Sequence, residues 1–288
     1  MLTPIDFIQD LFNPLLSFLP RALVVAVMAA VICGVIGTHV VLRGMAFIGD
    51  AVAHSVFPGL AVAFVLQGSL LVGGLVAGAI TALLVAFFSQ NRRIKEDSVI
   101  GIFFAAAFAL GLVVMSFAPG YSGSLQSFLF GSITGVSRQD IVNVAVAGVL
   151  VIGITLLLNK ELVAVSLDRE MAKVQRLPVL ALDIVLYFLV TVAVVISIHT
   201  IGNILVLALL VTPAATARLL TDKLPTMMAL GAGVGAISAL VGMYLSWAIN
   251  IPTGATIVLT ATTIFLLTWL FAPKHGILFA GRKVGRAA

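Results

Sequence analysis

Hydrophobic residues occur along this chain in long runs that polar residues, glycine or proline interrupt only briefly. A helix needs about 20 such residues to cross roughly 30 Å of hydrocarbon at about 1.5 Å per residue. Nine runs approach or exceed that length, and they predict an all-α, polytopic helical membrane protein. The predicted spans are residues 20–42, 46–66, 69–89, 98–118, 139–159, 179–199, 201–219, 226–249 and 253–272.

The seventh run, GNILVLALLVTPAATARLL, is short and contains a proline, so it fits either a crossing or a re-entrant segment. The hydrophobic pattern alone therefore allows either eight or nine transmembrane helices. The distribution of lysine and arginine favours nine, because basic residues collect in cytoplasmic loops. With nine crossings and an external N-terminus, all of the 16 basic residues except Arg21 and Arg138 face the cytoplasm.

The composition excludes an ordinary soluble domain. Hydrophobic residues make up 61% of the chain and charged residues 9%, against about 25% charged residues in soluble proteins. The net charge of +5 is spread over the loops and indicates no nucleic-acid partner. The one cysteine, Cys33, permits neither an intrachain disulfide nor a thiolate cluster.

We expect residues 1–288 to form a single transmembrane domain. Within it, residues 1–19 are predicted to be a short interfacial segment rather than a cleaved signal peptide, since no basic residue opens this stretch. Two glycine patterns, GLVAG at 74–78 and GAGVG at 231–235, have the GxxxG spacing that lets helix backbones approach closely. They predict packing inside the bundle rather than a dimer seam.

Ionisable residues stand out in the stretch GDAVAHSVFPGLA, inside the second predicted span. Asp50 and His54 are four residues apart and share one face of a helix. Pro58 continues that face and leaves the carbonyl group of His54 without its helical donor. A carboxylate, an imidazole and a free carbonyl are suitable ligands for Mn²⁺, Fe²⁺ or Zn²⁺, and ionisable groups inside a span usually line a pathway or find a partner.

A plainer interpretation of the same residues is also open. Asp50 would then be the N-cap of a helix that begins at Ala51, neutralised by Arg43, and His54 would pack against a neighbouring helix. Two further histidines are weaker candidates for metal ligands. His39 is near the inner end of the first span, and His199 is near the outer end of the sixth.

The longest predicted cytoplasmic loop, KELVAVSLDREMAKVQRLP, has the pattern of a short amphipathic helix. Ser166 is the predicted N-cap, with Arg169 at the position where a capping box prefers glutamate. Asp168 and Glu170 suit the helix N-terminus, and Lys173 follows them. The segment fits either a helix lying on anionic lipid or a docking helix for a cytosolic partner.

Enzymatic chemistry has little support in the sequence. The chain contains no HExxH or GxSxG motif, and no lysine follows a glycine as a Walker A loop requires. If ATP drives this protein, another chain must hydrolyse it.

Seven blocks in order resemble one family, the permease subunits of manganese, zinc and iron ABC importers. The blocks are VVLRGMAFIGDAVAHSVFPGLA (40–61), KEDSVIGIFFAAAFALGL (95–112), LFGSITGVSRQDI (129–141), SLDREMAKVQR (166–176), GNILVLALLVTPAATARLL (202–220), PTGATIVL (252–259) and LFAPKHG (270–276). The resemblance implies a type II importer fold in a bacterial cell membrane, with two permease chains, expected to be identical, around a pore.

The resemblance also implies roles and partners. In that family the aspartate and histidine of the second span line the pore as a metal site, and they match Asp50 and His54 here. The segment 166–176, with Ser166, Asp168, Arg169, Glu170 and Lys173, matches the coupling helix that meets cytoplasmic ATPase subunits. An extracytoplasmic protein would deliver Mn²⁺, Zn²⁺ or Fe²⁺, and no tightly bound cofactor is expected. Alternative functions are a permease for a metal chelate or organic micronutrient, and an ion-coupled secondary transporter using Asp50.

Overall fold

The computed structural model describes residues 3–90, 93–116 and 135–272, without the side chains of residues 115, 199, 200, 203 and 204. This part of the chain is helical throughout, apart from short connections. The helices are α1 (Pro4–Leu11), α2 (Phe18–Arg43), α3 (Ile48–Val65), α4 (Leu70–Phe88), α5 (Glu96–Ser116), α6 (Arg138–Leu157), α7 (Asn159–Leu167), α8 (Arg169–Val174), α9 (Val179–Ile201), α10 (Asn203–Leu220), α11 (Leu224–Ile249) and α12 (Thr253–Phe271). A 3₁₀ turn, Pro14–Leu16, separates α1 from α2.

The predicted fold class is confirmed. Each predicted span corresponds to one long helix whose ends fall within a few residues of the predicted ends. Among the described residues, eight helices are long and apolar enough to cross a membrane. The apolar part of α10 whose side chains are described, Leu205–Leu220, is shorter than these eight helices. The choice of nine crossings over eight therefore stays a prediction.

Helix α2 is the centre of the bundle. It packs against α6, α9, α10 and α11, while α3 packs against α4, α5 and α9. In α2, 72% of the span is buried, whereas the figure is 17% for both α5 and α12. Among the eight spans, α2, α3 and α9 are thus the most buried, and α5 lies at the periphery with one side against α3.

Glycine permits the closest contacts between these helices. A Cβ atom on Gly37 of α2 would lie 1.9 Å from the carbonyl oxygen of Leu210 in α10. In the two GxxxG patterns, Gly78 faces Thr191 of α9 and Gly231 faces the backbone of Gly34 in α2. The prediction that both patterns pack inside the bundle is confirmed for these residues.

The N-terminal segment forms an amphipathic helix docked on α11. Phe7 meets Tyr244 edge to face with ring centres 5.6 Å apart, and Trp247 donates a hydrogen bond of 2.9 Å to Asp10. On the other side Ile5 and Ile8 are more than half exposed. This arrangement suits a helix with its apolar face in the membrane interface.

Candidate functional site

Helix α3 brings Asp50 and His54 together. The Nε2 atom of His54 lies 3.3 Å from Oδ1 of Asp50, and the two side chains are 21% and 31% exposed respectively. The helix begins at Ile48 after Phe47, with no side-chain cap hydrogen bond. Asp50 is inside the first turn, so the alternative in which it caps a helix starting at Ala51 is wrong.

A tight connection fixes the start of α3 relative to α2. Gly44 ends α2 with φ of +69°, a left-handed conformation that glycine adopts without steric cost. The backbone N–H groups of Gly44 and Met45 donate to the carbonyl groups of Val41 and Val40. Only four residues, 44–47, separate the two helices, and Asp50 follows directly.

Two aromatic rings from α5 hold the imidazole of His54. Phe104 and Phe108 meet it edge to face, with ring centres 5.0 and 5.1 Å away. The two phenyl rings are parallel to within 8°. Because edge-to-face contacts are favourable and directional, α5 sets the orientation of the histidine while leaving one side of the Asp50–His54 pair open.

Helix α5 can lie close to α3 because Gly111 of α5 faces Pro58 of α3. A Cβ atom on Gly111 would lie 2.7 Å from the ring of Phe57 and 3.0 Å from Cδ of Pro58. Pro58 is inside α3, and its missing N–H leaves the carbonyl group of His54 without a helical donor. The proline turn of α3 therefore lies directly against α5, and the open carbonyl group of His54 stays a prediction.

One chain supplies an incomplete set of metal ligands. Within the described residues, no three side chains of histidine, cysteine, aspartate or glutamate come together in a group that could hold a metal ion. His39 is fully buried in α2, and its two ring nitrogens have no hydrogen-bond partner in the described structure. It does not join Asp50 and His54 as a third ligand. The side chain of His199 lies outside the described residues.

A cleft of about 730 Å³ lies on the other side of α3, between α3, α4 and α5. Its walls are almost entirely apolar, with Pro58, Val76 and Leu110 among them. Asp50 and His54 are absent from its lining. An apolar cleft offers no ligand to a cation, so it does not extend the candidate metal site.

A second group of ionisable residues is buried at the helix ends beyond the site. We call Arg43, Glu96, Arg169 and Asp183 the charge cluster. Asp183 of α9 is fully buried and accepts a hydrogen bond of 2.6 Å from Arg43. Arg169 donates to both Asp183 and Glu96. Two positive and two negative groups thus neutralise each other between α2, α5, α8 and α9.

Neutral side chains complete the charge cluster. Gln90, just after α4, donates to the second carboxylate oxygen of Asp183 at 3.0 Å. Ser166 accepts from Nε of Arg43 at 3.0 Å and donates to its own helix at Leu162. The loops predicted to be cytoplasmic after α2, after α4 and before α9 therefore meet on one side of the bundle.

The segment 166–176 presents two different faces. Arg169 points inward to the charge cluster, whereas Glu170 and Lys173 form an ion pair of 3.2 Å with both side chains about half exposed. The predicted N-cap Ser166 is wrong, because Asp168 caps α8 by accepting from the backbone N–H groups of Glu170 and Met171. Ser166 is instead in α7, one turn before the break.

Sequence reasoning missed Asp183 and Glu96. A carboxylate inside the predicted span 179–199 was a visible signal, since such residues are costly unless paired. The partners were not visible, because Arg43 and Asp183 are 140 residues apart. Glu96, two residues before the predicted start of its span, resembled an ordinary charge at a helix N-terminus.

The eight helices of membrane-spanning length among the described residues define a multi-pass membrane protein. The chain belongs to the ABC 3 transport family, whose model matches residues 16–272. It is therefore a permease subunit of a bacterial plasma-membrane ABC transporter, a transport component rather than an enzyme. Membership implies ATPase and substrate-binding partners, and it disfavours the ion-coupled secondary transporter.

Similar proteins cover nearly the whole chain. The manganese transport system membrane protein MntC of Halalkalibacterium halodurans is 43% identical over 269 residues, 93% of this chain and 92% of that protein. The chelated iron transport system membrane protein YfeC of Yersinia pestis is 35% identical over 262 residues, 91% of this chain and 89% of that protein. The structure of PsaBC from Streptococcus pneumoniae in complex with Fab aligns with a TM-score of 0.83 and 33% identity, covering 95% and 98% of the two chains.

Proposed function

We propose that this permease imports Mn²⁺, with Fe²⁺ as the second candidate, through a pore formed by two permease chains and lined by Asp50 and His54. The observation that carries the proposal is the open pair on α3, which presents one oxygen and one nitrogen ligand on a partly exposed face. Similar proteins named for manganese and iron support these two ions.

A second copy would complete the ligand set. A two-fold axis near the pair brings two carboxylates and two imidazoles to one place. The two carboxylates match the charge of a divalent cation, which would otherwise be costly at this depth. Because transport requires release as well as binding, a site shared between two movable chains suits passage better than a closed cage.

The exposed side of α5 next to Phe104 and Phe108 suits a helix contact with that copy. Gly101, Ala105 and Ala109 are exposed there, and their spacing of four residues forms one stripe along the helix. Small residues allow close approach of helices in membranes. This stripe supports a seam between two permease chains beside the metal site.

The donor atoms limit the choice of ion without fixing it. Carboxylate oxygen suits Mn²⁺, and imidazole nitrogen suits Fe²⁺ and Zn²⁺. Zn²⁺, which the sequence analysis also allowed, follows as the third candidate, since none of the relatives described above is named for it. An extracytoplasmic binding protein would deliver the ion and contribute much of the selectivity.

We assign the outer face of α8 to the ATPase. Met171 and Val174 of α8 are 54% and 78% exposed, and Leu167, the last residue of α7, is 79% exposed. The ion pair of Glu170 and Lys173 borders these apolar side chains. A mixed apolar and charged face on a short projecting helix fits a protein groove. ATP would be bound and hydrolysed by that partner.

Metal uptake in cells that contain the permease, its ATPase and its binding protein tests the pore site. Asp50→Ala and His54→Ala should each abolish uptake of labelled Mn²⁺ and Fe²⁺ at normal membrane levels. Ser55→Ala is the matched control, since Ser55 follows His54 and its hydroxyl bonds only to Val52 of its own helix. Normal uptake in both site variants would refute the assignment.

Cross-linking tests the two-chain pore separately. Ala105→Cys should form a covalent dimer upon mild oxidation of membranes, because the stripe would face its copy. Leu110→Cys is equally accessible on α5 but lines the apolar cleft, and it should stay monomeric. The native Cys33 is fully buried. Equal cross-linking of the two variants, or none of either, would argue against this seam.

A further inference from the structure

We propose that the charge cluster is the joint through which the coupling segment moves α5 and thereby changes the metal site. The inference rests on the proposed function, because it assumes that α8 meets the ATPase and that Asp50 and His54 bind the ion. It assigns Glu96 and Arg169 as positioning residues, which act on transport without contacting the metal.

Arg169 is the point where the two ends of this connection meet. It is the first residue of α8, and Glu96 is the first residue of α5. One guanidinium group donates to Glu96 through Nη1 and to Asp183 through Nη2. Since the rigid guanidinium plane fixes both bonds in one geometry, a displacement of α8 must move α5, strain the bonds or break them.

Burial makes the cluster stiff. Asp183 is fully buried, and the side chain of Arg43 is 3% exposed. Water and salt therefore screen these charges little. Opening the Arg43–Asp183 pair would leave an uncompensated charge in an apolar environment, whereas Arg169 and Glu96 are 25% and 22% exposed. Dissociation of Arg43 from Asp183 is consequently disfavoured.

The cluster has one anchored side and one movable side. Arg43 ends α2, whose span is 72% buried, and Asp183 belongs to α9, whose span is 61% buried. Glu96 begins α5, which within its own chain is buried over only 17% of its span. Its exposed side faces the proposed second permease chain, so few contacts of its own chain hold it in place. Helices with few buried contacts move at lower free-energy cost than core helices. A push on α8 is therefore transmitted mainly to α5.

The movable helix carries the aromatic wall of the metal site. Phe104 and Phe108 lie on α5 and contact the imidazole of His54. They follow Glu96 by two and three turns, roughly 12 and 18 Å along a rigid helix. A tilt or slide of α5 at Glu96 would shift both rings relative to His54 on α3.

The coupling ratio, ATP hydrolysed per Mn²⁺ transported, tests the joint in liposomes that contain the complete transporter. Glu96→Gln removes the charge that connects Arg169 to α5 and leaves the Arg43–Asp183–Arg169 contacts in place. We expect this variant to hydrolyse ATP while its coupling ratio rises about tenfold or more, the usual scale for one lost charge-assisted bond. Asp97→Asn is the matched control, because it removes a carboxylate from the same helical turn, where Oδ1 has no hydrogen-bond partner.

A second variant covers the case in which Glu96→Gln does not assemble. Arg169→Lys keeps the positive charge but lacks the fork that contacts two carboxylates, and it should also raise the coupling ratio. A wild-type ratio in whichever of these two variants assembles, or the same increase in Asp97→Asn, would overturn the joint. Asp50→Asn in the same liposomes separates the two proposals. If Asp50→Asn loses Mn²⁺ uptake but Glu96→Gln has a normal coupling ratio, only the joint is refuted. If Asp50→Asn has normal uptake, the pore site is refuted.

Discussion

The Asp50–His54 pair and the charge cluster are both groups of ionisable residues among apolar helices, but they differ in how far their interactions are satisfied. The pair has one contact of 3.3 Å between its members and is open on one side. In the charge cluster, two arginines and two acids neutralise one another, and Asp183 accepts hydrogen bonds from three side chains. The first group has coordination capacity left, whereas in the second the one buried side-chain atom without a hydrogen-bond partner among the described residues is Nη2 of Arg43.

Under the proposed function, this difference separates the metal site from a group of charges that neutralise one another within one chain. An ionisable residue in an apolar environment must find a partner, and the partner of Asp183 belongs to the same chain. The partners of Asp50 are incomplete within one chain, which is the condition under which a mobile cation can take part. Charge balance and exposure therefore distinguish the two groups better than their residue types do.

The largest effect is expected from Asp183→Asn. It would leave the guanidinium groups of Arg43 and Arg169 without their shared carboxylate, at a cost of about 3–5 kcal/mol for a broken buried pair. The folded protein should be lost from membranes or melt far below the wild type. Thermal unfolding of the purified permease in detergent measures this, and a wild-type melting temperature would show that the cluster does not stabilise the fold.

Asp50→Asn should have the opposite effect, with a large loss of transport and little loss of stability. Because the carboxylate is 31% exposed and paired only one turn away, unfolding should change by less than about 1 kcal/mol. Mn²⁺ uptake should nevertheless fall by more than about a hundredfold, since even outer partners of metal ligands contribute 10–100-fold. Mn²⁺ uptake and melting temperature, measured on one preparation, test the expected loss of transport and the expected retention of stability. A strongly destabilised Asp50→Asn variant would show that Asp50, like Asp183, stabilises the fold.

Ser166→Ala sharpens the comparison within the charge cluster. It removes the acceptor of Nε of Arg43 and leaves all four charges in place. The expected loss of stability is about 1.5–3 kcal/mol, the range for a hydrogen bond to a charged group. Chemical denaturation of the detergent-solubilised protein measures it, with Ser55→Ala as the control. A loss as large as that of Asp183→Asn would contradict the view that charge pairing dominates.

The smallest effect is expected from Phe108→Leu. One edge-to-face contact to His54 is lost, worth about 0.5–1.5 kcal/mol, while the residue stays apolar. The apparent KM for Mn²⁺ should rise a few-fold and the maximal rate should stay within about twofold of the wild type. Uptake measured over a range of Mn²⁺ concentrations tests this, and an unchanged KM would mean that the ring does not orient the histidine.

Local sequence patterns were sufficient for the helices and for the pair on α3. Spans are set by the length of apolar runs, and Asp50 meets His54 because both belong to one helix. The charge cluster depends on contacts between distant segments, such as Arg43 with Asp183, which no local pattern specifies. The inward direction of Arg169 could not be predicted for the same reason.

The residue that caps α8 also could not be predicted from the local sequence pattern. Both Ser166 and Asp168 are suitable N-cap residues, and the sequence favoured the serine. Arg43 reaches Ser166 from another helix, and the helix break moves to Asp168, which caps α8. A tertiary contact thus decided between two locally acceptable starts.

The glycine turn between α2 and α3 has a consequence for how such permeases diversify. Four residues connect Arg43 to the helix that carries Asp50, and Gly44 has a left-handed backbone there. The helix that carries Asp50 and His54 is therefore joined closely to α2, whereas the aromatic rings come from a different helix, α5. If the pair binds the transported ion as proposed, substitutions on α5 can change how readily the ion leaves without changing which donor atoms it meets. Throughput and ion preference are thereby open to separate selection during evolution.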